Sequence, residues 1–510
     1  MGRIAVALIV SSWVIPISIL VNHIVPDPYM DEIFHVPQAQ QYCKGYFTSW
    51  DPMITTPPGL YYVSLAYVGS LFPGMFCVKV VSSFYEACSS SILRSTNGVL
   101  AVICSILVYE VITQLRPTLD ERKATAFAVV MALYPLHWFF TFLYYTDVAS
   151  VTAVLATYLA CLKRKYACSA LLGLFAVLLR QTNIIWILFV ACIGIINCTL
   201  VHEETDGKKI DSIDVSAERD GQETLSVRER SILRKRRLGT SENSVNHYSQ
   251  MTNSPSLVYS SGIIDEVNCL LLRMWHLKWK LLFSFSPFLL VLVAFVAFVL
   301  WNGSIVLGAK DAHAVSAHVA QILYFGLVSA LFIAPLHFTP NHIAFYVRSF
   351  WSNKFRSIIQ WFMALSVGFL SVHFFSIAHP YLLADNRHYP FYIWRKIINA
   401  HWAMKYLLVP LYVYSWFSIL RNLEKSRKKI WVLVYFVCCV ATLVPAPLIE
   451  FRYYTIPFFF LVLHCEDIFD YRSLVLMGMA YVTINVFTMV MFLFRPFKWD
   501  HEPGLQRFIW

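Results

Sequence analysis

Charge is scarce in this chain. Of its 510 residues only 14% are charged, against about 25% in an ordinary soluble domain, which excludes a simple soluble globule. Its twelve cysteines never fall as CxxC, so no zinc or dithiol redox motif is visible. His313, His318 and His401 show no metal-ligand spacing, and no metal site is expected. A P-loop, a GxGxxG and a DxD-like nucleotide-sugar signature are all missing, which disfavours a cytosolic nucleotide-dependent enzyme. The short alternating segments of a membrane β-barrel are missing too.

What the chain has instead is apolar length. Hydrophobic residues make up 58% of it, and its mean hydropathy is +0.58. Runs long enough to cross a bilayer imply an all-α polytopic membrane protein, because a helix satisfies its own backbone hydrogen bonds in lipid. Such runs cover Ile4–Val25, Gly98–Leu115, Ala124–Leu143, Val148–Leu162, Ala167–Leu179 and Ile184–Leu200. They resume with Leu281–Leu300, Val319–His337, Ile358–Phe375, Met404–Leu420, Ile430–Val444, Ile456–Cys465 and Ser473–Phe494. Leu60–Val80 is apolar but broken by Gly69, Pro73 and Gly74. Counting it as non-crossing places Arg3 and the basic clusters near 116–123, 163–165, 234–237 and 427–429 on one side, as the positive-inside rule asks.

The expectation is therefore about 13 transmembrane helices with a cytosolic N-terminus. An N-terminal membrane module, 1–200, carries a large first lumenal loop, 26–96. A disordered basic cytosolic insertion occupies 201–276, and a C-terminal membrane module runs over 277–510. The net charge of +11 sits mostly in short inter-span loops, which points to membrane orientation and away from nucleic acid. Cys43, Cys77 and Cys88 share the first loop and have the makings of a disulfide if it faces an oxidising lumen. Asn302-Gly303-Ser304 is a glycosylation sequon on the lumenal side of this arrangement.

Unusual polar residues gather on that same side. Asp31 and Glu32 directly follow the first span, and a carboxylate there can act as a general base toward a hydroxyl. An acidic cap on a short helix would use the same residues, and spacing leaves both readings open. His35 lies one helical turn from Asp31 and can hold it or share a proton. Trp50, Asp51, Thr55 and Thr56, among the prolines of Trp50–Tyr61, combine a stacking ring with groups that hydrogen-bond sugar hydroxyls; a simple turn is the plainer account. Arg180-Gln181, Arg387-His388 and Arg452 are cations placed against the charge bias and suit a phosphate. Asp147, at a span end, can orient substrate or Arg180.

Those segments have a family likeness. Met30-Asp31-Glu32-Ile33-Phe34-His35-Val36-Pro37, Trp50–Tyr61, Leu179-Arg180-Gln181-Thr182-Asn183, Asp385-Asn386-Arg387-His388-Tyr389-Pro390 and Phe451-Arg452-Tyr453-Tyr454 resemble the dolichyl-phosphate-glucose-dependent α-1,2-glucosyltransferases of the endoplasmic reticulum. The resemblance covers the chain apart from the insertion and implies a GT-C type multispan fold. It implies transfer of the third, terminal glucose from dolichyl phosphate glucose to the diglucosylated, mannose-rich glycan on dolichyl diphosphate, with inversion and no cofactor. It places the catalytic base on the Asp31-Glu32 pair, with Asp31 first. A sister transferase using another dolichyl-phosphate sugar and a multispan transporter are the alternatives; a transporter predicts polar groups at the bilayer midplane and related halves.

Overall fold

The computed structural model describes residues 1–72, 87–200, 262–310, 315–352, 354–500, 502 and 504–510. Most of the 201–276 insertion, the second half of Leu60–Val80, Cys77 and His313 lie outside the described residues. Among the described residues the architecture is helical, and no strand forms beyond the isolated bridges His388–Ile509 and Phe497–Gln506.

Every apolar run of the sequence falls on helix, and prolines decide where a run is cut. Ala124–Leu143 becomes Glu121–Ala132 and Pro135–Phe140, because a proline has no N–H to continue the first helix but suits the start of the next. Val319–His337 is likewise interrupted at Ile333, ahead of Pro335, and the helices Ala320–Phe332 and Ala334–Arg348 meet at a 93° bend. Among the described residues six helices are individually long and apolar enough to cross a membrane, namely α1 (Gly2–Ile24), Ser90–Leu115, Asn183–Leu200, Lys278–Asn302, Lys354–Phe374 and Tyr471–Phe494. The bent pair, taken as one span, makes seven. Thr146–Leu162, Tyr166–Leu179 and Lys429–Leu443 are apolar but shorter.

The chain divides into two compact units, Met1–Gly194 with Leu282–Trp510, and Ile195–Leu281. In the first, Ser90–Leu115 packs against α1, Glu121–Ala132 and Thr146–Leu162, which in turn packs along Tyr166–Leu179. Ala320–Phe332 packs against Val409–Ser426. The core is aromatic: Trp186 stacks on Phe460 at 5.3 Å and Tyr134 on Phe458 at 4.3 Å. Phe283, Leu290, Phe355 and Phe362 instead stand exposed on their helices, as side chains facing hydrocarbon do. In the second unit the end of the expected disordered insertion is ordered, as the helix Ile263–His276, whose first turn is closed by Gly262 N–H donating to Asp265.

Among the described residues of the first loop two short helices form, α2 (Glu32–Cys43) and α3 (Gly59–Leu71). α2 continues through Pro37. A disulfide between Cys43 and Cys88 ties the end of α2 to the approach of Ser90–Leu115, with Val68 of α3 and Ala87 packed around it.

Candidate active site

The site begins with a forced turn between α1 and α2. Met30 has φ +56°, in the left-handed region that a side-chain-bearing residue rarely occupies. Glu32, with no exposed surface, holds that turn closed. Its Oε2 accepts from Tyr29 N–H at 3.0 Å, and its Oε1 from Tyr144 N–H at 2.6 Å. Arg94 supplies the counter-charge, donating from Nε to Oε1 at 2.8 Å and from Nη2 to Oε2 at 2.6 Å. The remaining guanidinium donors reach Val25 O at 2.6 Å, Asp27 O at 3.0 Å and Asn22 Oδ1 at 3.1 Å. A buried charge is tolerable only when paired and hydrogen-bonded, and both of these are. The carboxylate of Glu32 is fully occupied in holding the turn.

Asp31, its neighbour, is placed quite differently. Its side chain is 43% exposed, and Oδ2 receives Arg452 Nη1 at 3.0 Å. Its backbone N–H donates to Tyr145 Oη at 3.2 Å. Burial of the surroundings opposes ionisation, but positive charge around it, Arg452 foremost, holds the carboxyl below the usual carboxylate range. His35 lies one turn along α2, its N–H donating to Asp31 O at 3.1 Å. Its Nδ1 is 2.7 Å from Tyr61 Oη, and burial pushes its pKa below the ordinary histidine value despite Asp31. A neutral imidazole thus stands beside an ionised carboxylate.

Arg452 is the hub. It sits in the single turn Phe451–Tyr454 ahead of the helix Thr455–His464, and its Nη2 and Nε bond Glu450 Oε2 at 2.7 and 3.1 Å. Its Nη1 also lies 3.9 Å from Asp147 Oδ2. The guanidinium is flanked by the rings of Phe140 and Tyr145 at 5.4 and 5.5 Å, contacts that favour a planar cation. Asp147 is in the first turn of Thr146–Leu162, where the helix dipole favours an anion. Arg180 directly follows Tyr166–Leu179, so two antiparallel neighbours bring their ends together, and Arg180 Nη1 donates to Asp147 Oδ1 at 3.0 Å.

The first loop is docked onto this cluster. Gln181 Nε2 donates to Thr55 O at 2.6 Å, and Leu307 N–H reaches the same carbonyl at 3.1 Å. Gly59 is pressed against the backbone before Arg180: a Cβ there would lie 2.5 Å from Leu178 O and 2.9 Å from Leu179 N. Trp50 lies edge-on to Tyr61 at 6.1 Å and so borders the site through the residue that holds His35. Asp51 Oδ1 accepts Met53 N–H at 2.8 Å, a turn-forming use. The Thr56 hydroxyl is buried with no partner among the described residues.

Arg387 and His388 are engaged elsewhere. Arg387 grips Asp385 at 2.9 Å and Gln506 Oε1 at 2.9 Å, and its guanidinium lies over Trp499. His388 Nδ1 is 3.1 Å from Trp510 O. Asn302 closes the helix Lys278–Asn302, its amide donating to Ser304 O and Val306 O at 2.8 Å each. Of the residues the sequence singles out, Asp31, His35, Asp147, Arg180 and Arg452 come together in one cluster; Arg94, Glu450 and Tyr145 join them and are not among the sequence candidates. Arg94 precedes the apolar run beginning at Gly98, and a lone arginine there reads as a side chain snorkelling to a membrane surface.

The arrangement has the parts for proton abstraction from a hydroxyl beside a bound anion: a half-exposed ionised carboxylate, a neutral imidazole and two guanidiniums. A protein from Arabidopsis thaliana named Dol-P-Glc:Glc(2)Man(9)GlcNAc(2)-PP-Dol alpha-1,2-glucosyltransferase is 60% identical to this chain over 512 residues, covering all of both. Proteins of the same name from Mus musculus and Drosophila melanogaster are 34% and 29% identical, over 95% and 97% of this chain and 93% and 96% of their own. No solved structure matches the chain. The family model described as DIE2/ALG10 matches residues 25–463, a span holding Asp31, Asp147, Arg180 and Arg452. With that match and relatives this similar along their full lengths, the chain belongs to the DIE2/ALG10 family.

Proposed function

We propose that this chain transfers glucose from dolichyl phosphate glucose to Glc2Man9GlcNAc2 on dolichyl diphosphate, forming the α-1,2 linkage that its relatives' name states. The observation that carries the mechanism is the contrast between adjacent carboxylates: Glu32 is enclosed and fully hydrogen-bonded, while Asp31 is 43% exposed. Asp31 is the general base. Arg452 engages Oδ2, leaving the other oxygen to take the proton of the acceptor 2-hydroxyl as it attacks the anomeric carbon. The carbon–oxygen bond to phosphate breaks with its electron pair on the phosphate oxygen, and a β-linked donor becomes an α-linked product. Positive charge developing on the sugar faces the Asp31 and Asp147 carboxylates. The departing dolichyl phosphate gains negative charge and is met by Arg180, whose partner is Asp147, and by Arg452. His35, held by Tyr61, keeps Asp31 oriented.

The reading places the site on the lumenal side of the endoplasmic reticulum membrane with a cytosolic N-terminus and about thirteen spans. Three things support it: the basic clusters confined to one side, helix on every apolar run, and the Cys43–Cys88 disulfide in the first loop, which an oxidising compartment sustains. The test is a profile of lipid-linked oligosaccharides from cells lacking the protein, rescued by wild type or by Asp31→Asn. The two-glucose species should accumulate and be cleared by wild type alone. A complete three-glucose profile without the protein, in cells with no second copy, defeats the glucosyltransferase reading; clearance by Asp31→Asn moves the base elsewhere.

A further inference from the structure

Beyond residue 494 the chain folds back over the region already described. After the helix Tyr471–Phe494, Phe497 and Gln506 pair across a turn, and Ile509 pairs with His388. Arg507 fixes this tail at two points: its guanidinium caps the preceding helix at Phe492 O and Leu493 O, and its backbone exchanges hydrogen bonds of 2.7 and 2.8 Å with Tyr29 Oη. Tyr29 is the residue whose N–H Glu32 holds, so the tail abuts the turn that carries Asp31.

The tail brings its rings to those following His388. Phe508 stacks on Tyr389 at 6.4 Å and lies tilted to Tyr392 at 6.1 Å, and Trp510 lies 5.0 Å from Tyr389. Trp499 lies under the Arg387 guanidinium at 4.6 Å and donates from Nε1 to Asn386 Oδ1 at 2.9 Å. These rings are all partly buried, unlike Trp301 and Trp402, which are 81% and 76% exposed as membrane-belt rings are. They are interleaved with planar polar groups: Arg387 bonds Asp385 and Gln506, and Asn386 accepts from Trp499. Tyr389 Oη and Trp510 Nε1 are buried among them with no partner among the described residues.

We infer that Tyr389, Tyr392, Trp499, Phe508 and Trp510, with Arg387, form a carbohydrate subsite that seats the neutral oligosaccharide arm of the acceptor next to Asp31. Partly exposed rings beside hydrogen-bonding side chains offer an apolar sugar face something to stack on and its hydroxyls something to bond. The inference rests on the transferase reading, and its substrate is the acceptor glycan, not the donor.

The test uses full-length enzyme in lipid nanodiscs, with dolichyl phosphate glucose and two acceptors, the complete two-glucose oligosaccharide and a two-glucose acceptor trimmed of its other arms. Trp499→Ala and Trp510→Ala should raise KM for the complete acceptor roughly tenfold, the worth of about one ring contact, with kcat and donor KM near wild type. The trimmed acceptor should show a smaller change. Trp499→Phe, which keeps a ring, should restore most of the affinity and guards against a folding defect. Unchanged acceptor KM, a loss confined to kcat, or a raised donor KM overturns the inference, the last marking these rings as lipid anchors. Failure of wild-type enzyme to glucosylate either acceptor defeats the transferase reading instead.

Discussion

Removing Arg94 tests the division of labour between Glu32 and Asp31. Arg94→Ala deletes both donors that neutralise Glu32, at 2.8 and 2.6 Å, and leaves a carboxylate with no exposed surface on two backbone N–H groups. Breaking a buried pair from one side costs about 3–5 kcal/mol, a large part of the 5–15 kcal/mol typical of a folded domain. Because the pair is almost wholly enclosed, solvent screening does not reduce that figure. Glu32→Gln replaces an acceptor oxygen by an amide that faces a donor and strands the Arg94 charge, so it should also melt early. Asp31→Asn should differ: the side chain is 43% exposed with one charged partner, so the stability cost is about 1 kcal/mol or less. Its turnover should fall by about 10²–10⁴, the usual worth of a general base. The assay is thermal unfolding in detergent beside single-turnover transfer, with turnover expressed per folded molecule. If Glu32→Gln melts like wild type yet loses turnover as fully as Asp31→Asn, the chemistry runs through Glu32 and the latch argument fails.

Asp31 must be ionised to take a proton, and although burial opposes ionisation, positive charge around it, Arg452 foremost, holds its carboxyl below the usual range; kcat/KM should therefore stay flat as pH falls through that range and decline only below it. Arg452→Met leaves the burial and removes the main counter-charge, so the acid limb should move to higher pH, and an unmoved limb refutes the role given to Arg452. The sign for stability is the same: the Asp31 contribution is present above its unfolded pKa and is lost as pH drops through the lower folded value. Gly59→Ala would set a methyl 2.5 Å from Leu178 O and 2.9 Å from Leu179 N, both backbone atoms that cannot swing aside. Overpacking of this kind costs about 1–3 kcal/mol; it should lower both the melting temperature and kcat/KM by displacing Arg180, and wild-type values for both would show that the close approach is dispensable.

Charged residues at the ends of apolar runs are legible from sequence because lipid makes them expensive, and Asp31, Asp147, Arg180 and Arg452 stand out for that reason. Which acid of an adjacent pair stays available is not legible. It depends on Tyr144 N–H and Arg94, contributed from more than sixty residues away. Run lengths locate helices well but conceal breaks such as the one at Ile333, where a proline in an apolar stretch is equally compatible with a kinked continuous span. The tail escapes for a related reason: aromatics beyond a last span read as an interfacial belt, and only the Arg387–Gln506 and Tyr29–Arg507 contacts draw them to the site.

The cluster on Arg452 also imposes arithmetic on the whole chain. Asp31 and Arg452 touch at 3.0 Å, Arg180 and Asp147 at 3.0 Å, and Arg452 and Asp147 lie 3.9 Å apart, so in the lumenal arrangement proposed above all four stand at one face of the membrane. A path that leaves that face and returns to it crosses an even number of times. Between Asp31 and Asp147 lie the runs Gly98–Leu115 and Ala124–Leu143; between Asp147 and Arg180, Val148–Leu162 and Ala167–Leu179. Ile184–Leu200, Leu281–Leu300, Val319–His337, Ile358–Phe375, Met404–Leu420 and Ile430–Val444 separate Arg180 from Arg452. If each of these crosses once, every interval is already even, and the stretch containing α3 must end on the side where it began. Spans within this stretch of the chain can then be gained or lost only in pairs, since a single odd crossing would carry Arg452 away from the carboxylate it holds.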